Sequence, residues 1–240
     1  MNILVIQNHP TDPAGVLGDC VLERNGKLDV RLPLEGDRLP LDHRDHDGLI
    51  VMGGAMHAED DDRFPHLLDA VALIQSFHAA AKPIMGVCLG AQLVARSFGQ
   101  RVYRHDVLEL GFTAVFAEAA IATDPVLAHA PEKIHLMQWH FDTFDLPKEA
   151  TLLMSNPTCE RQAYRIGTTT YGFQFHLEVT AEILQHWLRE ESTFLENHYP
   201  HFPAQLAQQI EQFLAASQTF CRQVGHAWLN LVQARASCER

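Results

Sequence analysis

Two rhythms of apolar residues alternate along this chain. Residues 2–7 form an apolar run without alternation, the pattern of a strand covered on both faces, as in the parallel sheets of α/β proteins. Residues 14–24 then set Val16, Leu17, Cys20 and Val21 at helical spacing, Asn25-Gly26 closes the helix, and residues 28–34 alternate as a second strand. Gly48-Leu49-Ile50-Val51-Met52 is another buried strand, running into Gly53-Gly54, and residues 64–80 return to helical spacing. Pro83-Ile84-Met85-Gly86-Val87 makes a short strand that meets Cys88 directly; residues 90–98 are helical and Gly99 stops them. Repeated βα units predict an α/β fold with a mainly parallel central sheet flanked by helices.

The second half of the core is richer in strands. Residues 112–116, 134–138, 150–154 and 168–175 read as strands separated by Pro125, Pro131, Pro147 and Pro157, which adds an antiparallel portion. Residues 180–196 are helical with Thr180 as cap, Tyr199-Pro200-His201-Phe202-Pro203 interrupts, and residues 204–234 form a long helical pattern. The expected organisation is a catalytic unit over residues 1–196 and a C-terminal helical extension over residues 197–240. The extension's apolar stripe, including Leu206, Phe213, Phe220, Val224 and Trp228, is expected to pack on the core, with partner docking as the other reading.

Composition narrows the class. A chain of 240 residues with 47% hydrophobic and 20% charged side chains is a folded protein built on one core with an appendage. Thirty acidic against 18 basic side chains give a net charge of −12, which disfavours nucleic acid and anionic bilayers as partners. The five cysteines at 20, 88, 159, 221 and 238 lack CxxC pairs, so reduced thiols fit better than a zinc ribbon. No run approaches the ~18 apolar residues of a membrane span, and Met1 to Gln7 carry no positive leader, so the expected location is the cytoplasm. His43 and His46, and the run Glu59-Asp60-Asp61-Asp62 before a helix start, read as solvated turns. No metal and no cofactor are expected.

The candidate chemistry centres on Gly86-Val87-Cys88-Leu89-Gly90. Small residues two before and two after Cys88 let a strand turn sharply into a helix, pushing the thiol into a cleft at a helix N-terminus that favours thiolate. The same turn aims the Leu89 N–H at a developing oxyanion. Alone, such a turn equally suits a buried, inert cysteine. Phe173-Gln174-Phe175-His176-Leu177-Glu178 supplies the missing base: in extended backbone residues two apart share a face, so Glu178 can hold one nitrogen of His176 while the other faces Cys88.

Together Gly86 to Gln92 and Phe173 to Glu178 resemble the two signature motifs of the class I, triad-type glutamine amidotransferases, and most of all their guanylate-synthetase-like glutaminase domains. The resemblance extends over roughly residues 1–190. It implies that Cys88 is the nucleophile, His176 the general base and then acid, and Glu178 the orienting carboxylate. Gly54 and Leu89 match the paired backbone donors of the oxyanion hole, and Gln92 the side chain that contacts bound glutamine. Gln138 and Trp139, in Met137 to Asp142, match the segment whose backbone receives the substrate's α-amino and α-carboxylate groups; His140 and Asp142 there are expected to shape the loop by hydrogen bonds. Leu177 and Ala55 stand where many members carry proline, a difference that removes no functional group. The implied substrate is glutamine or a γ-glutamyl small molecule, with ammonia passed to a separate synthetase or acceptor subunit on another chain. Two alternatives remain at this point: a stand-alone γ-glutamyl peptidase or hydrolase, and a non-catalytic binding module of the same fold. Breadth of the pocket beyond Cys88 separates the amidotransferase from the peptidase.

Overall fold

The opening apolar run is strand β1 (Asn2–Ile6), in which Ile3 to Ile6 have no exposed surface. It lies between β2 (Lys27–Arg31) and β3 (Gly48–Val51), both parallel to it, and β4 (Ile84–Val87) and β9 (Thr170–Phe173) extend the parallel part. Beyond β9 the sheet turns antiparallel through β8 (Ala163–Ile166), β7 (Ala150–Ser155), β5 (Val102–Ala117) and β6 (Lys133–Phe144). The nine strands follow the order β2-β1-β3-β4-β9-β8-β7-β5-β6. The computed structural model describes residues 1–238; the side chain of Cys238, one of the five thiols read as reduced, lies outside the described set.

Alternation along the strands assigns each helix its face. Ile3, Val5 and Ile50 join α1 (Gly15–Glu23) and α7 (Ala215–Cys238) in one apolar layer, while Leu4, Ile6, Leu49 and Val51 join α2 (His66–Ala79) and α3 (Leu89–Ser97) in the other. A third cluster forms beside β5 and β6, where α4 (Ala181–Glu190) contributes Trp187, α5 (Ser192–His198) Leu195, and α6 (Phe202–Gln209) Phe202 and Leu206.

Several boundaries differ from the sequence expectation. The segment read as one strand over 168–175 is only the second arm of a hairpin, since Gly167 at φ 60° turns the chain from β8, which was not foreseen, into β9. Strands foreseen at 112–116 and 134–138 are the paired ends, next to the connection, of much longer strands β5 and β6. The helix foreseen over 180–196 divides at Glu191 into α4 and α5; the Thr180 cap is present, its hydroxyl accepting from the Ile183 N–H at 3.2 Å. Pro203 does not break the chain but sits in the first turn of α6, where no N–H is needed. A π-helical turn, Ile210–Leu214, carries α6 into α7. Phe220, Val224 and Trp228 of α7 are buried against the sheet, so the extension's stripe packs on the core.

Candidate active site

Gly54, Cys88, Leu89, His176 and Glu178 gather at the carboxyl ends of β3, β4 and β9, beside the point where the chain leaves β1 for β2 on one side and β3 on the other. In open α/β sheets such a switch point leaves a crevice for ligands.

Cys88 joins β4 to α3 at φ 51° and ψ −109°, a left-handed conformation that a side-chain-bearing residue holds only under constraint from its surroundings. One constraint is Gly90: a Cβ there would fall onto the Val51 carbonyl oxygen, so α3 can approach β3 this closely only through glycine. Another is the Cys88 N–H, which donates to the Phe173 carbonyl at 2.8 Å and ties the turn to the end of β9. Past β9, the His176 N–H donates to the Met137 carbonyl at 2.8 Å. His176 Nδ1 meets Glu178 Oε1 at 2.8 Å, both side chains buried, and the Cys88 sulfur is the ring's other hydrogen-bond partner. Burial opposes the imidazolium, but the sulfur and the Glu178 carboxylate outweigh it by charge and hydrogen bonding and hold His176 well above the usual histidine value. Gly53 closes over the pair: a Cβ there would stand 3.0 Å from His176 Cε1.

Gly54 and Leu89 lie against each other, Leu89 opening α3, whose first N–H groups have no acceptor within the helix. Gln92 is buried one turn on and donates to the Asp142 carbonyl and to Gln174 Oε1, each at 3.3 Å. The Gln138 side chain points away from the cleft into a buried network, donating to Gln162 at 2.8 Å. His140 meets Gln138, Glu109 and the Asp142 carbonyl at 3.0, 3.1 and 3.0 Å, and Asp142 meets His57 at 2.6 Å. The foreseen hydrogen bonds of His140 and Asp142 therefore brace strand β6 rather than a loop.

Two cavities open on Cys88 and share Gly54, Ala55, Trp139 and Glu191. The larger, about 180 Å³, is also bordered by Gln92, His140, Phe141, Asp142 and Phe194. The smaller, about 90 Å³, is bordered by His9, Thr11, Asp12, His176, Trp187 and Glu190. Sequence reasoning passed over His9, Thr11 and Asp12; their place directly after a buried first strand was the available signal. For Trp187, Glu190 and Phe194, on helices remote in sequence, there was none.

A second Cys, Glu and His grouping joins α1 to α7, where Cys20, Glu23 and His226 bring one ligand atom each within 4.8 Å of one another. Cys20 is fully buried, its thiol pushed up to about 11 by that burial, and none of the three borders either cavity.

Solved glutamine amidotransferases share this architecture. The protein from Thermotoga maritima superposes with a TM-score of 0.86 at 24% identity over 97% of this chain and 98% of its own, and that from Methylobacillus flagellatus with 0.86 at 26% over 96% and 94%. The pattern of the family "Glutamine amidotransferase class-I" matches residues 21–192, and the chain belongs to that family. Curated relatives include a glutamine amidotransferase-like protein of Salmonella typhimurium, 30% identical over 62% of this chain and 64% of its own length. A subunit of the glutamine-hydrolyzing GMP synthase of Methanothermobacter thermautotrophicus is 28% identical over 82% of this chain and 96% of its own. In the Salmonella relative, as in the corresponding GMP synthase subunit of Thermoplasma acidophilum, the match spans 64% of the relative's length.

Proposed function

We propose that this chain is an amidohydrolase that cleaves a γ-glutamyl amide through a Cys88 thioester. The observation that carries this reading is the buried line of Cys88, His176 and Glu178 at a strained strand-to-helix turn opening on two cavities. Cys88 attacks the γ-carbonyl, the Gly54 and Leu89 N–H groups stabilise the oxyanion, and His176, oriented by Glu178, gives its proton to the departing nitrogen. Water then hydrolyses the thioester with His176 as base. Gln92 and the backbone at Gln138 and Trp139 hold the glutamyl portion. Residues 1–196 form the catalytic unit and 197–240 its extension, a division supported by the family match ending at residue 192.

With glutamine as substrate the product is ammonia, passed to an acceptor on another chain; the relatives named as glutamine-hydrolyzing GMP synthase subunits support this reading. Among the described residues no helix is long and apolar enough to cross a membrane. A second reading, hydrolysis of γ-glutamyl compounds with a larger leaving group, is favoured by the cavity on the His176 side. Steady-state kinetics on glutamine and on γ-glutamyl dipeptides, with the chain alone and with proteins co-purified on it, test the two. Slow glutamine hydrolysis that a bound protein accelerates supports the amidotransferase reading, and a tenfold gain needs only about 1.4 kcal/mol of differential interaction. Fast, partner-independent dipeptide cleavage with negligible action on glutamine replaces it with the hydrolase.

A further inference from the structure

The two cavities are not equivalent. Both meet Cys88, but His176 borders only the smaller and Gln92 only the larger. Acyl transfer requires the imidazolium to protonate the departing nitrogen, so the leaving amine lies on the His176 side and the acyl portion on the Gln92 side. This ordering rests on the amidohydrolase reading above.

The smaller cavity is acidic. Asp12, Glu190 and Glu191 border it, and no Lys or Arg does among the described residues. Asp12 is 9% exposed. The Trp187 indole N–H, which donates to the Thr11 carbonyl at 3.1 Å, also steadies the Asp12 carboxylate. Burial pushes the Asp12 carboxyl up to about 6 even though His176 and His9 pull it down, Glu178 adding to the rise. Glu190 is held by the Thr11 hydroxyl at 2.8 Å and faces His9 Nε2 at 3.5 Å. Trp139 and Trp187, their rings 5.5 Å apart and nearly perpendicular, supply apolar and π surface suited to a methylene chain ending in an ammonium. A carboxylate brought here would meet three acidic groups with only the His9 and His176 rings to offset them, whereas an ammonium would neutralise part of that negative charge.

We infer that the smaller cavity is a leaving-group subsite for cationic amines, so that the chain cleaves γ-glutamyl monoamides of short diamines in preference to amides whose leaving amine carries a carboxylate. The Cys88 sulfur bonds to the γ-carbon, the carbon–nitrogen bond breaks, and the departing nitrogen takes the His176 proton while its distal ammonium stays against Asp12. Water then replaces sulfur on the acyl carbon, giving glutamate and the free thiol.

The test uses the full chain and three amides of equal chain length: mono-γ-glutamyl-1,4-diaminobutane, γ-glutamyl-butylamide and γ-glutamyl-4-aminobutanoate, with glutamine alongside. The expected kcat/KM order is cationic, then neutral, then anionic, with the cationic amide at least a hundredfold above the anionic one. In the Asp12→Asn, Glu190→Gln double variant that ratio is expected to fall at least tenfold. In parallel, 1,4-diaminobutane is expected to slow alkylation of Cys88 by iodoacetamide more than 4-aminobutanoate does, a readout independent of turnover. Cys88-dependent glutamine hydrolysis combined with equal cleavage of the three amides, or none, overturns the subsite while leaving the amidohydrolase reading standing. So does equal protection by the two amines, or a ratio unchanged in the double variant. Inert glutamine and inert amides, with Cys88 unreactive, overturn both.

Discussion

Cys88, Cys20, Cys159 and Cys221 are all buried free thiols, yet they differ in what surrounds them. Burial pushes Cys20 up to about 11 and raises Cys159 and Cys221, whereas Cys88 opens on two cavities beside a histidine. An electrophilic glutamine analogue at pH 7.5 is therefore expected to label Cys88 at least tenfold faster than the other three, as peptide mapping would read. Labelling of Cys20 first would transfer attention to the Cys20–Glu23–His226 grouping. Cys88→Ala and His176→Ala should each remove several orders of magnitude of turnover with the fold retained, and Glu178→Gln less, because orientation is weakened while nucleophile and base remain. Asp12 carries a different expectation. Its folded-state pKa of about 6 lies above the ordinary value of 3.8, so the folded chain holds that proton more tightly and stability falls as pH rises from about 4 to 6. Asp12→Asn should then stabilise the protein at pH 8, by on the order of 3 kcal/mol at most, and the gain should vanish near pH 3.5. Urea midpoints of variant and wild type at the two pH values measure it; an equal gain at both would detach the effect from ionisation. The motif residues were legible because the proposed chemistry demands fixed spacings, Cys88 between glycines and His176 two before Glu178. Asp12 was not, since a carboxylate in a loop acquires its character only from what buries it.

At the scale of elements, the βα units were readable because β1, β3 and β4 are covered on both faces and show continuous apolar runs, while the edge strand β2 alternates. The antiparallel half was less so: β5 alternates buried and exposed positions irregularly and shifts register between Arg104 and Glu109, which left only the last part of a 16-residue strand visible. Of the β8–β9 hairpin only the second arm was foreseen, because β8 is just four residues long and carries Arg165 within it. Glycine is where element packing is most exposed to test. Gly90→Ala forces α3 away from Val51 backbone and is expected to cost at least ~2 kcal/mol and to disturb the Cys88 turn. Gly18→Ala, within α1, meets only ordinary contacts with Ala14 and Leu28 at 3.4 and 3.5 Å and is expected to be neutral or stabilising by about 0.5–1 kcal/mol. Denaturant unfolding of the pair separates steric approach from helix propensity; equal effects would remove the argument for Gly90.

Across the whole molecule, the C-terminal helix closes one face of the sheet. Trp228 is 1% exposed and packs over Gly48, within 3.0 Å of where a Cβ would stand. Trp228→Ala is accordingly expected to destabilise the entire chain by about 3–5 kcal/mol in a single cooperative transition, which calorimetry would read. A separate low-temperature transition, with the rest of the chain unaffected, would instead make residues 197–240 an independent appendage. The sequence by itself determined the α/β class, the strand-to-helix turn at Cys88 and the spacing of His176 and Glu178, because periodicity and local backbone geometry are written in neighbouring residues. Tertiary structure alone decided that β9 lies beside β4, that α4 brings Trp187 and Glu190 over the end of β1, and that the cleft divides into two chambers, His176 bordering one and Gln92 the other. Those features depend on contacts between segments far apart in the chain, whose burial and mutual fields no local pattern encodes.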